Sequence, residues 1–365
     1  MSRRHATILA STLLLIGMLC AVALVRVPYS ELSPGPTVNT LGEYDGDPVL
    51  SIEGRETYPT SGHLNMTTVR VTSADYRMTL GEALYSWLAD DAAVVPHDSL
   101  YPDGTTAEEA EEENAEEFSQ SQQSAKVAAL AELGIPVPTR TVVSAVVKDS
   151  PAEGTLRAGD VIKAVDGTPV REPADVARLV TEHEPGEDVV FTVVPAKAAE
   201  AAEKAGEDPL TAGTREVTVA TAPAEDDQRA IVGIQAGTAH TFPFDIDIKL
   251  ADVGGPSAGL MFALGIVDKL TDEELTGGTF VAGTGTIDGE GEVGPIGGVT
   301  MKTRAAAAAG ARYFLTPEEN CATAAKERPD GLTLVEVGTM DDALEALRDI
   351  REDDTESLPL CTAAD

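Results

Sequence analysis

The most continuous hydrophobic pattern lies near the N-terminus, where residues 6–25 run without a charge between His5 and Arg26. At about 1.5 Å per helical residue, 20 residues span roughly 30 Å, the thickness of a bilayer's hydrocarbon core. The run predicts a single-pass transmembrane helix within residues 1–28. A cleaved signal peptide is the rival, because Ala21-Val22-Ala23 has the small-residue pattern. The run, however, exceeds the usual signal core of about 7 to 15 residues. A lipid-modified Cys20 fits poorly, since Leu19 precedes it where a small residue is expected. Arg3 and Arg4 favour a cytoplasmic tip, which places everything after Arg26 on the extracytoplasmic side of the cell membrane.

Past the span the period shortens. Residues 29–97 form a small mixed region, with a strand pattern at 63–71 and helical spacing through Leu80, Ala83, Leu84 and Trp87. Residues 98–125 hold nine acids and no base, and predict a solvated helix or disordered connector. They lack the alternating oxygen ligands and glycine turn that calcium needs. From 126 to 223 the pattern tightens. A strand through Val142, Val143, Ala145 and Val146 precedes the turn Ser150-Pro151-Ala152-Glu153-Gly154, then Gly159-Asp160-Val161-Ile162 and Val165-Asp166-Gly167-Thr168. A short helix carrying Val176, Leu179 and Val180 on one face leads to a strand at 189–194. An Ala/Glu/Lys-rich stretch at 195–213 reads as a helical excursion before a last strand at 216–220. Residues 229–350 form a third domain and 351–365 a tail, so the fold class is α+β multidomain.

Composition narrows the function. With 26 Lys and Arg against 62 Asp and Glu, the net charge is −36 and the pI about 4.3. Nucleic acid is excluded as a partner, because phosphate binding needs clustered basic residues. Aromatics are 4% of the chain, too few for a base-stacking platform, and Ala and Val must fill most of the core. Three scattered cysteines do not make a metal cluster, so neither a metal nor another cofactor is expected. Outside the membrane, Cys321 and Cys361 can close a loop worth roughly 4 kcal/mol in the chain-entropy model; the alternative is two unpaired small hydrophobes.

Candidate chemistry begins at Gly254-Gly255-Pro256-Ser257-Ala258-Gly259, which runs into an apolar helical stretch at 260–270. A serine at a helix start has N–H groups and the helix dipole available to an oxyanion, with backbone donors expected at Gly255 and Ser257. The segment also fits G-x-S-x-G, the nucleophile elbow of α/β-hydrolases. That reading fails on order, since His5, His63, His97, His183 and His240 all precede Ser257. The remaining bases downstream are Lys269, Lys302 and Lys326. Of these, Lys302 follows Gly294-Pro295-Ile296-Gly297-Gly298-Val299 onto an alanine-rich helix with Gly310 as its C-cap. A lysine acts as a base near neutrality only if its pKa falls by about 3 units, roughly 4 kcal/mol, which burial can supply.

Two families are resembled. The elements of 126–223 resemble a PDZ domain of the type attached to bacterial proteases. The resemblance implies peptide binding by strand addition beside the short helix, with Gly134 and Ile135 near the carboxylate loop and Val176, Leu179 and Val180 lining the groove. It also allows a PDZ that only positions the next domain. Residues 229–350 resemble the proteolytic domain of Lon proteases, which use a Ser-Lys dyad. That resemblance implies Ser257 as nucleophile, Lys302 as base and Thr284, in Ala282-Gly283-Thr284-Gly285, as support for the lysine. Two departures are Gly254, where an acid commonly opens the serine motif, and residues 244–247 in place of upstream histidines. No G-x-x-x-x-G-K-[ST] occurs, so no ATP-binding motif is present. The whole chain thus resembles membrane-anchored, PDZ-containing Lon-like proteases of bacteria. It implies an ATP-independent serine endopeptidase acting on exported or unfolded proteins, in a homo-oligomer. The alternative is a catalytically inert PDZ adaptor of the cell envelope. The charge is also patterned around the dyad: 253–267 has none, and 293–317 has three bases and no acid. Such patterning insulates Lys302 from the acidic field.

Overall fold

In the computed structural model, residues 3–102, 104–224, 228–251 and 253–363 are described. The first two residues of the expected tip, Asp103 of the acidic connector and the last two residues of the tail lie outside them. Nine α-helices form among the described residues. They are α1 (Arg3–Leu24), α2 (Leu80–Leu88), α3 (Ala107–Glu132), α4 (Pro173–Thr181), α5 (Ala196–Lys204), α6 (Gly259–Leu270), α7 (Val299–Ala309), α8 (Glu318–Lys326) and α9 (Met340–Glu352). Three of them start on capping boxes, at Thr79 with Glu82, Thr106 with Glu109 and Thr339 with Asp342, in which side chain and backbone satisfy each other's orphan groups. Helix α1 is the one helix among the described residues long and apolar enough to cross a membrane, and none of its apolar window is buried in protein.

The chain divides into two units, one made of Met1–Ile135 with Phe244–Asp365 and the other of Pro136–Pro243. The first is built on a six-stranded mixed sheet in the order Thr333–Val337, Tyr313–Pro317, Phe280–Gly283, His63–Val71, Tyr29–Asn39, Ala93–Pro96. Its first four strands run parallel and the last two join antiparallel. From Gly259 to Val267 helix α6 is apolar on every side, with Leu260, Met261, Phe262, Ala263, Leu264 and Ile266 fully buried, as befits a segment covered all round. At Gly283 a Cβ would come 2.6 Å from Met261 Sδ, so glycine lets α6 press directly on the sheet. Cys321 and Cys361 are joined in a disulfide, and Cys361 N–H donates to Leu334 O, tying the tail to the sheet edge.

This division departs from the one drawn on the sequence. Residues 29–97 are no separate region: they supply three of the six strands, and the serine-lysine domain at 229–350 is incomplete without them. The connector at 98–125 is neither disordered nor solvated all round. Most of it lies in α3, which buries Ala110, Phe118, Ser121 and Ala125 and sets the Phe118 ring edge-on to Phe262 at 5.8 Å. Residues 126–132 also belong to α3, so the PDZ-like unit begins at Pro136. The physical reason is common to all three. A strand with both faces buried takes its partners from anywhere in the chain, and a helix rich in Glu still buries its few apolar positions.

The second unit is an antiparallel sheet in the order Arg215–Ala220, Asp188–Val194, Val161–Val165, Thr139–Val146, Ile234–His240. Its core gathers Val143, Leu156, Ile162, Val189 and Phe191 with Val176, Leu179 and Val180 of α4. The Ala/Glu/Lys-rich stretch forms α5, before the strand at Arg215–Ala220. We expect a fragment of residues 136–243 to melt cooperatively by circular dichroism. A fragment of residues 229–350, lacking half of its sheet, is expected to show no cooperative transition.

Candidate active site

The loop carrying Ser257 is held from two sides. From α3, Asn114 O accepts the Gly255 N–H at 2.9 Å and Ser121 Oγ donates to Pro256 O at 2.9 Å. From the strand end beyond Gly283, Gly285 N–H and Thr284 Oγ1 both donate to Ser257 O at 2.9 Å. Gly255 has φ 82°, a left-handed conformation that glycine adopts without steric cost. Ser257 itself is half-buried and stands two residues before α6, at the positive end of the helix dipole.

Lys302 reaches this loop from α7. That helix begins at Gly298, whose φ of 68° turns the chain, and whose absent side chain leaves room for Val69 of the sheet. Lys302 lies in the first turn, 3% exposed, and its Nζ is 2.6 Å from Ser257 Oγ and 2.9 Å from Thr284 Oγ1. Burial lowers its pKa from 10.5 to about 7. Taking an ammonium out of water favours the neutral amine, and among the described residues no carboxylate counters the shift.

Hydrogen bonding then assigns the protons. The fully buried Thr284 hydroxyl has one proton and donates it to Ser257 O, so its oxygen accepts from Lys302. A neutral amine has two N–H groups and one lone pair. With one N–H turned to Thr284, the lone pair is free to face Ser257 Oγ, as proton transfer from the serine requires.

The three residues expected on the sequence to share a site, Ser257, Lys302 and Thr284, are thus brought together. Gly255 is not available as an oxyanion donor, because its N–H already serves Asn114 O. The expectation failed because a backbone N–H carries no sequence signal of where it bonds. Ser257 N–H remains, with no acceptor among the described residues. The histidines have other partners: His63 stacks on Phe280, His97 bonds Ser30, His183 faces Asp166, and His240 ends a strand of the second unit. Asn114 and Ser121 were not foreseen; the apolar spacing of Ala110, Phe118 and Ala125 inside the acidic run was their only signal.

The groove residues expected in the second unit also move. Gly134 and Ile135 fall in the first unit, beyond α3, and Val176, Leu179 and Val180 point into the core instead of lining a groove. The strand Ile234–His240 lies at the end of its sheet, and α4 packs beside it.

Two family models match the chain. Residues 142–194 match the PDZ domain, and residues 249–348 match the Lon protease (S16) C-terminal proteolytic domain. The chain therefore carries a PDZ domain and a proteolytic domain of the Lon serine-peptidase type. It is 38% identical over 103 residues to the Lon protease of Phenylobacterium zucineum, covering 27% of this chain and 13% of that protein. It is 34% identical over 110 residues to Lon protease 2 of Bacillus subtilis, covering 29% and 19%. With the archaeal Lon protease of Methanothermobacter thermautotrophicus it shares 37% over 108 residues, covering 28% and 16%. The chain thus spans less than a fifth of the length of these relatives. The solved PDZ domain of an SdrC-like protein from Listeria innocua is 19% identical, with 28% of this chain and 99% of that chain covered and a TM-score of 0.22.

A buried amine kept neutral is a cost to the fold. Between the folded pKa near 7 and the unfolded value near 10, the unfolded chain binds the extra proton, so stability rises with pH across that window. Lys302→Met is expected to raise stability at pH 7 by up to about 4 kcal/mol and to flatten this slope. Denaturant melts at pH 7 and pH 9 on both proteins check it; equal stability of the two at pH 7 would contradict a buried neutral amine.

Proposed function

We propose that the chain is a membrane-anchored, ATP-independent serine endopeptidase that hydrolyses peptide bonds of exported or unfolded proteins. One observation carries the reading: a buried lysine amine sits 2.6 Å from the hydroxyl of a serine at a helix start. Ser257 Oγ attacks the peptide carbonyl carbon while the Lys302 lone pair takes its proton. The tetrahedral oxyanion is met by Ser257 N–H and the α6 dipole. As the intermediate collapses, the Lys302 ammonium returns the proton to the leaving amine, and an acyl-enzyme remains. Water then loses a proton to Lys302 and attacks the ester carbon; as this second intermediate collapses, the C–Oγ bond breaks and the Lys302 ammonium returns the proton to Ser257 Oγ, freeing the acid and restoring the serine and the neutral amine. Thr284 is a positioning residue that orients the amine throughout.

Helix α1 serves as the anchor, with Arg3 and Arg4 cytoplasmic and both units on the extracytoplasmic face. In the PDZ unit, the outer edge of Ile234–His240 beside α4 is the place for an extended peptide to add as a strand. The assembly is a homo-oligomer, and neither ATP nor nucleic acid is a partner.

Casein cleavage by the purified chain tests the reading. Ser257→Ala and Lys302→Ala are each expected to lose at least about a thousandfold in kcat/KM. Because only the neutral amine accepts the serine proton, kcat/KM is expected to rise with pH through about 7 and level off above it. Equal turnover by all three proteins, or a profile flat across pH 6 to 8, would remove the dyad. Ser121→Ala, which frees Pro256 O from α3, is expected to lower kcat roughly threefold to tenfold with KM little changed.

A further inference from the structure

Helix α2 combines an exposed apolar face with a fixed attachment to the end of α1. On its inner side Ala83 and Ser86 are buried, and Ser86 Oγ bonds Glu31. Its outer side presents Leu84 (43% exposed), Tyr85 (77%), Trp87 (72%) and Leu88 (75%) over adjacent turns. Such a cluster of large side chains in contact with water is costly unless something covers it.

What covers it follows from where α2 begins. A Cβ at Gly81 would lie 3.0 Å from Val22 Cγ1, so α2 touches the last turn of α1 directly. Leu80 N–H donates to Val25 O at 2.8 Å, Val27 N–H to Met78 O at 2.9 Å, and Arg26 Nη1 to Arg77 O at 2.6 Å. The Arg26 guanidinium also lies over the Tyr76 ring at 5.7 Å. These ties make the end of α1 and the start of α2 one piece. Helix α1, 22 residues long, matches the hydrocarbon thickness, so its last turn sits at the boundary between acyl chains and headgroups. Leu88 is seven residues from Gly81, at most about 11 Å along a helix, which is the depth scale of the headgroup layer.

The geometry points to α2 as an interfacial anchor, seated in the headgroup region of the same bilayer leaflet from which α1 emerges. The chemistry fits that layer: Trp and Tyr join an apolar body to a polar tip, and they favour the membrane–water interface. Helix α2 has no Lys or Arg, and its one charge, Glu82, is engaged by Thr79 and Tyr76. The attachment is therefore apolar and independent of anionic lipid, as suits a chain of net charge −36. It deepens the anchor reading proposed above and rests on it. Its effect is to give the proteolytic unit a second point of contact with the membrane, so that it does not swing freely on a single-helix tether.

Trp87 is the single tryptophan of the chain, so intrinsic fluorescence reports on this face alone. The full chain is reconstituted in phosphatidylcholine vesicles, with lipids unbrominated or brominated near the headgroup. Flotation with the vesicles reads the α1 anchor, and bromine quenching reads α2. The expected result is flotation with at least a twofold loss of Trp87 emission in the shallow-brominated vesicles, unchanged by anionic lipid or salt. The triple variant Leu84→Ser, Tyr85→Ser, Leu88→Ser should float equally but lose most of the quenching. A floating chain whose Trp87 is unquenched overturns the inference, whether its emission is red, as in water, or blue, as in a contact between two copies. A chain that does not float overturns the anchor reading, and the inference with it.

Discussion

Keeping one amine out of water is the constraint on which the rest of the proteolytic unit depends. Burial alone lowers the Lys302 pKa to about 7, without a neighbouring cation among the described residues to help. The surroundings answer to that need. Helix α7 starts on a glycine turn against Val69 and continues through alanines, of which Ala305 and Ala306 are buried, so its backbone packs close to the sheet. Helix α6 is apolar from Gly259 to Val267, and Gly283 lets it settle on the strand that leads to Thr284. Thr284 donates its only proton to Ser257 O and so accepts from the amine, which leaves the amine's lone pair free to face Ser257 Oγ. Packing and proton placement are in this sense the same problem.

The loop that carries Ser257 depends on a second element, which is unlike its surroundings. Helix α3 carries the densest acidic run in the chain, yet it supplies the two polar contacts that fix Gly255 and Pro256. Its acids and its contacts are separated by helical periodicity: one face holds Ala110, Phe118, Ser121 and Ala125, while Glu111, Glu112, Glu113 and Glu116 are exposed. Carboxylates in water are screened within about a Debye length, whereas the buried amine is not reached by that solvent. The acidic character of the chain and the neutral character of its site coexist on opposite sides of one helix.

How much of this was legible follows from the range of each interaction. Ser257 and Lys302 stand in glycine-framed motifs whose spacing is local, and the helices behind them have local periodicity, so the two segments that meet could be read directly. The disulfide could be read because Cys321 and Cys361 are the two cysteines outside the apolar run at 6–25. The sheet could not be read, because Phe280–Gly283 pairs with His63–Val71 across more than 200 residues, and strands of either region look alike. Gly255 illustrates the finer limit: its glycine character is evident, but the acceptor of its N–H, Asn114, lies on another element. In the second unit the valines of α4 show the converse. An apolar helical face says that something is covered, and here it was the unit's own core.

The pairing of Thr67 with Gly283, 216 residues apart, with the second unit encoded between them, gives synthesis a direction. Strands 29–39 and 63–71 emerge before their central neighbour at 280–283, and the whole of residues 136–243 emerges between them. Ser257 emerges before the strand that leads to Thr284 and the helix that carries Lys302. A nascent chain therefore holds the serine without its buried amine until 45 further residues have been added.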